Sequence, residues 1–435
     1  MKAALACAAA ALMLAHAGAQ AQFVVPPIPE VEGPITGPGP MWPGLRPALA
    51  PGNEPEDFGY LTEEYFVSGT ANGQPYKTRI LVRRPEVAER FSGIVVSESM
   101  HSNGFAVTFQ PAMKSVLLRG HVHVEIAAQQ GNVNNTLRPF NPERYASLSI
   151  ASGAQTSEII AQVAMLLKTA PGNRRLILQG TSQASGVLRT YQAQKHFQSR
   201  MPDGSALVDG YLATSTLGSA PMMVVDVPTV HMPTMTEVNS GAPSGNLFRR
   251  PDSDDPANRY RLYEVAGMAH ANSRETITYV PDPCNLPVSD FPWGAAVAMG
   301  LHHLIEWADK GTLPPKAPPL EFDNDTSNDG SRLALDAHGN VKGGVRTTYV
   351  DIPVAQYGVP NSASGAAAFN CSIAGWRIPY NEETLRELYK NKGGYISRLN
   401  RRLMELLREG WVLPEYAEDI RRDALAIEIP SPSGR

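Results

Sequence analysis

Cysteine is scarce, with 3 among 435 residues. That excludes a disulfide-dense scaffold, and a cysteine pair with no clustered histidines excludes a thiolate zinc site. An excess of either charge is also missing. The 38 Lys and Arg stand against 42 Asp and Glu, a formal net charge of −4. There is no basic field to attract nucleic acid and no acidic tail to attract a basic partner. Past the N-terminus, no stretch offers the roughly 18 uncharged apolar residues of a membrane-spanning helix. No internal repeat is present.

What is present begins with a leader. Met1-Lys2 is a short positive start, Ala3 to Leu14 an apolar run, and Ala19-Gln20-Ala21 a small-x-small cleavage pattern. Residues 1–21 are therefore expected to direct export, to the periplasm or the outside, and to be removed. In an oxidising compartment Cys284 and Cys371 either form a bridge or remain two buried thiols. Residues 22–59 are crowded with Pro and Gly and read as an extended, poorly packed lead-in.

From Tyr60 the pattern turns regular. Apolar runs at Glu64 to Ser68, Thr78 to Val82, Gly93 to Ser97, Val122 to Ala127, Leu176 to Gln179, Leu207 to Ala213, Thr229 to Met235 and Tyr260 to Val265 read as strands. Several are continuous, as in strands buried on both faces of a parallel sheet. Helical spacing appears at Ser157 to Lys168, Val187 to Phe197 and Ala295 to Lys310. The alternation predicts an α/β fold over 60–311, with a mostly parallel central sheet flanked by helices. Residues 312–435 read as a strand-and-helix appendage on that core, with amphipathic helices at Glu382 to Lys390, Ile396 to Glu409 and Glu415 to Ala424.

The chemistry centres on Gly180-Thr-Ser-Gln-Ala184. Small residues on either side of Ser182, between an apolar run and a helical pattern, fit a sharp strand-to-helix turn with serine at its apex. The usual pattern is G-x-S-x-G, and here Ala184 takes the last place. A serine hydroxyl needs a base and a group to orient that base, and in this arrangement they follow in the order serine, acid, histidine. Glu237, just past an apolar stretch, is the candidate acid, with Asp209 and Asp226 as rivals. His270, among small residues after a strand, is the candidate base. His121, His123, His231, His302 and His303 lie within strands or a helix. For a developing oxyanion, one donor is the backbone N–H of Gln183. The second comes from the loop Glu98 to Gly104, by way of Met100 or His101. Asp325 to Gly330, with Asp336, has the outline of a calcium loop but departs from it at the third and closing positions, and a polar turn is the simpler reading.

With these residues placed, the chain resembles the bacterial and fungal alpha/beta hydrolase domain-containing proteins. The resemblance rests on Gly180 to Arg189, on Thr236-Glu237 and above all on Tyr263-Glu-Val-Ala-Gly-Met-Ala-His270, and it spans about residues 60 to 425. Where the family has Ser, Gly and Arg, this chain has Ala184, Ser185 and Gly186. The resemblance implies an α/β-hydrolase fold and a carboxylic ester hydrolase acting on a small-molecule ester, with a Ser182–His270–Glu237 triad and no cofactor. Two alternatives share the scaffold: an acyltransferase using the same residues, and a non-catalytic binding protein.

Overall fold

The computed structural model describes residues 23–47, 53–216, 220–240, 249–274, 284–323 and 333–429. The expected leader and the Asp325 to Gly330 segment lie outside them. Asp336 lies within: its carboxylate accepts the amides of His338 at 2.9 Å and Asn340 at 3.0 Å and pairs with Arg346 at 3.0 Å, closing a polar turn.

Nine strands form the main sheet: β1 (Glu30–Glu32), β2 (Tyr60–Ala71), β3 (Gln74–Pro85), β4 (Ile94–Ser99), β5 (Val122–Ile126), β6 (Arg175–Thr181), β7 (Gly210–Thr214), β8 (Thr229–Met232) and β9 (Tyr260–Leu262). Their order is β1-β2-β3-β5-β4-β6-β7-β8-β9. Pairing is antiparallel from β1 to β5 and parallel from β5 to β9, so the expected mostly parallel sheet is present. All residues of β4, β7, β8 and β9 are buried, as continuous apolar runs require.

Helices cover both faces. α1 (Phe109–Leu118), α2 (Arg138–Phe140), α3 (Thr156–Thr169), α4 (Gln183–Lys195), α5 (Met235–Ser240) and α6 (Trp293–Lys310) belong to the core. α1 and α6 pack into one hydrophobic cluster, α3 and α4 into the other. α6 ends at Gly311, whose φ of 72° supplies the left-handed cap.

The lead-in differs from its expectation. Most of residues 23–47 are exposed, yet the segment is pinned to the core at particular points. Val24 donates to Gln198 O at 2.7 Å and accepts from Arg200 N–H at 3.0 Å, and β1 extends the sheet. The reason lies in the buried arginines of β3. Arg79 and Arg83 donate to the carbonyls of Trp42 at 2.5 Å and Pro43 at 3.0 Å, and Arg144 reaches Gly39 and Ile35 at 2.8 and 2.7 Å. Prolines lack the N–H that would use a neighbouring carbonyl, so a proline-rich strap presents surplus acceptors to guanidinium groups.

The appendage adds α7 (Thr348–Asp351), β10 (Ala355–Gly358), α8 (Ala368–Ile373), β11 (Trp376–Pro379), α9 (Glu382–Tyr389), α10 (Lys392–Glu409) and α11 (Ala417–Leu425). β10 and β11 form a small antiparallel ladder. α9 to α11 bury a cluster of their own, with Leu399, Leu403, Leu406 and Ile420 inside it. Cys284 and Cys371 form a disulfide that ties α8 to the core.

Candidate active site

β6 carries Leu176, Ile177 and Leu178 in full burial, then turns at once into α4. Ser182 sits at the apex with φ 55° and ψ −121°, a backbone region that costs a non-glycine residue on the order of 1–3 kcal/mol. Its N–H donates to Thr214 O at 3.1 Å, which fixes the apex to the end of β7. Gly180 is required here, because an added Cβ would lie 2.6 Å from Ala184 O and 2.9 Å from Ser185 N. The three departures from the family pattern are absorbed. Ala184 is buried, Ser185 Oγ bonds Thr216 Oγ1 at 2.7 Å, and a Cβ at Gly186 would meet nothing within 4 Å.

β8 delivers the acid. The chain leaves it through Thr234 into α5, and Glu237 falls in the first turn, 4% exposed. Its Oε2 accepts from Thr234 N–H and Thr234 Oγ1, both at 2.7 Å. Its Oε1 meets His270 Nδ1 at 2.5 Å. A carboxylate accepts, so Nδ1 carries the proton and Nε2 of the neutral ring is left with the lone pair. Among the described residues Nε2 has no hydrogen-bond partner. His270 lies on the loop after β9. That loop is held by Met235 N–H on Met268 O at 2.9 Å and by His270 N–H on Thr236 Oγ1 at 3.1 Å.

Strands β6 to β9 are parallel, so Ser182, Glu237 and His270 gather at one carboxyl edge of the sheet. Glu237 and His270 are hydrogen-bonded. Ser182 Oγ makes no hydrogen bond among the described residues, so the serine and the histidine share an edge without a bond joining them.

The rival acids are engaged elsewhere. Asp209 accepts Leu176 N–H at 2.7 Å at the start of β6 and pairs with Lys168. Asp226 holds His196 Nε2 at 2.6 Å and Arg200 at 3.0 Å, and these partners, His196 first, pull its carboxyl down to about 2. His121, His123 and His231 are engaged away from this edge. His123 stacks on Phe109 with ring centroids 3.8 Å apart, His121 bonds Ser92 at 2.7 Å and His231 bonds Tyr260 at 2.9 Å.

The Gln183 amide opens α4 and has no acceptor among the described residues, as befits the first N–H of a helix. Its side chain does something the sequence did not announce. Gln183 Oε1 accepts Ser102 N–H at 3.2 Å and Gln129 Nε2 at 3.3 Å, and Gln183 Nε2 donates to Gln129 Oε1 at 2.5 Å. The residue after the serine thus ties the elbow to the loop after β4. The expected second donors are both engaged: Met100 N–H donates to Ile126 O at 2.8 Å and His101 N–H to Phe105 O at 3.2 Å. A second feature unseen in sequence is the reach of the appendage. The α8 carbonyl of Ile373 accepts from Thr236 Oγ1 at 3.3 Å and from Ala271 N–H at 3.2 Å, one neighbour of each member of the Glu–His pair.

A family model described as an alpha/beta hydrolase domain matches residues 31–422. Among solved structures, a Klebsiella pneumoniae protein described as a dienelactone hydrolase is 14% identical over 47% of this chain and 85% of its own, with a TM-score of 0.31. Esterase Est22 is 11% identical over 40% of this chain and 64% of its own, with a TM-score of 0.29. A cold-adapted esterase from an Arctic intertidal metagenomic library is 11% identical over 47% and 83%, with a TM-score of 0.29. No curated protein matches the chain.

Proposed function

The chain belongs to the alpha/beta hydrolase domain family, and on that premise we propose that it is an exported serine hydrolase cleaving small carboxylic esters through an acyl-enzyme. Ser182 Oγ attacks the ester carbonyl carbon while His270 Nε2 takes its proton. The tetrahedral intermediate collapses, the C–O bond to the alcohol breaks, and His270 returns the proton to the leaving oxygen. Water then repeats the sequence on the acyl-serine and releases the acid. Glu237 keeps the proton on Nδ1 and stabilises the imidazolium. The Gln183 amide donates to the oxyanion.

The observation that carries this reading is the Glu237–His270 contact of 2.5 Å, which presents a bare Nε2 at the sheet edge where Ser182 holds its strained backbone. Export is supported by the leader pattern and agrees with the Cys284–Cys371 disulfide. Ser182→Ala should lower kcat on p-nitrophenyl acetate by about 10⁴-fold or more. Parental turnover in that variant would reject the proposal.

A further inference from the structure

In this fold the loop after the strand at β4 usually lends a backbone N–H to the oxyanion. Here every amide from Met100 to Ala106 has an acceptor. Met100 N–H goes to Ile126 O and His101 N–H to Phe105 O. Ser102 N–H goes to Gln183 Oε1 at 3.2 Å, and Asn103 N–H to His101 Nδ1 at 3.2 Å. Gly104 N–H goes to His101 O at 2.8 Å, Phe105 N–H to Asn103 Oδ1 at 3.1 Å and Ala106 N–H to Gly44 O at 2.8 Å. With the amides nearest His101 engaged, a side chain of this stretch is the donor left to serve.

The His101 ring is built for that task. Because Nδ1 accepts the Asn103 amide, the single proton of the neutral ring sits on Nε2. Nε2 has no partner among the described residues. Burial, with Arg46 and His270 adding to it, pushes the imidazole down to about 4, so the ring is a neutral donor at pH 7. A charged ring at 101 would oppose the imidazolium that forms on His270, and a neutral one does not. The loop is braced by Asn132 Nδ2 on His101 O at 3.1 Å, Gln129 Nε2 on Met100 O at 2.9 Å and Trp42 Nε1 on Gly104 O at 2.6 Å. Bracing of this kind lets a donor stabilise developing charge without reorganising. Asn103 Nδ2, another side-chain donor of the loop, is buried and has no partner among the described residues.

We propose that the His101 imidazole, through Nε2–H, is the second oxyanion donor beside the Gln183 amide. The proposal rests on the serine-hydrolase reading above. Two substitutions separate this role from mere loop support. His101→Asn keeps an acceptor near the Nδ1 position and removes the Nε2 donor. His101→Gln keeps a donor near Nε2 and loses the acceptor for Asn103 N–H. With thermal melts confirming folded protein, kcat and KM for p-nitrophenyl acetate are measured for both, and fluorophosphonate labelling of Ser182 is followed. An oxyanion donor predicts that His101→Asn loses about 10²–10³-fold in kcat with KM little changed, and that His101→Gln retains more activity than His101→Asn. The reverse order, or parental kcat in His101→Asn, overturns the proposal. A fully active Ser182→Ala, or no adduct at Ser182 in the parent, overturns the underlying reading instead.

Discussion

Two histidine–carboxylate pairs stand at opposite ends of one helix. α4 starts beside Ser182 and is capped at its other end by His196, roughly 20 Å away for 13 residues of α-helix. His270–Glu237 and His196–Asp226 are about equally short, at 2.5 and 2.6 Å. They differ in what is left over. His196 uses its second ring nitrogen as well, on Tyr211 OH at 2.8 Å, while Nε2 of His270 stays open. The acids differ too: Glu237 is nearly sealed, whereas the Asp226 side chain is 45% exposed and shared with Arg200. A short histidine–acid contact is therefore no mark of catalysis. A free ring nitrogen, an elbow at the same edge and a buried acid together separate the two pairs.

The comparison breaks most visibly at the acids. Glu237→Gln should keep the geometry but favour the wrong tautomer of His270, lowering kcat by about 10⁴-fold. Asp226→Asn should leave ester turnover at the parental level, and equal losses in both variants would erase the distinction.

Next in size is the disulfide. Its cysteines are 87 residues apart, a loop whose closure is worth about 4.6 kcal/mol on chain-entropy grounds. Cys284→Ser with Cys371→Ser should lower the melting temperature. It should also reduce kcat, because α8 loses its tether while its Ile373 carbonyl braces Thr236 and Ala271. Catalysis unaffected by the loss would confine α8 to a stabilising role.

A smaller effect is expected in acid. The Asp226 carboxyl, held down to about 2 by His196 and Arg200, contributes stability above its unfolded value of about 4. That contribution disappears as pH falls through the native value. Melts between pH 4 and 2 should show this slope in the parent and a flatter one in Asp226→Asn, with kcat/KM at neutral pH alike in both.

The smallest effect lies on the shared helix. Gly186→Arg puts the family's residue into open space near the start of α4, and replacing a helical glycine should raise stability by about 1 kcal/mol or less. A loss of stability, read from denaturant melts, would mean that this turn is less accommodating than its surroundings suggest.

The sheet and the flanking helices are legible because each leaves a local trace: apolar runs for β4 to β9 and helical spacing for α3 and α6. Glu237 and His270 leave none, and only their order after Ser182 and the family resemblance single them out. α1 has no clear helical pattern in the sequence because Pro111 interrupts it, although proline is tolerated in a first helical turn. The anchoring of residues 23–47 also leaves no trace in the sequence. Its cause is arginines on β3, and a proline-rich stretch alone looks loose. The second oxyanion donor could not be assigned from sequence, since it depends on which amides of the loop already have acceptors. Ile373 gave no signal at all, because a backbone carbonyl acts there without regard to side-chain identity.

That carbonyl has a consequence for the order in which the molecule comes into being. A growing chain makes the elbow first, Glu237 and His270 later, and α8 only after a further stretch of about a hundred residues. The edge that gathers Ser182, Glu237 and His270 is thus completed from downstream. A chain halted after α6 would hold all three residues without the brace that α8 places between Thr236 and Ala271.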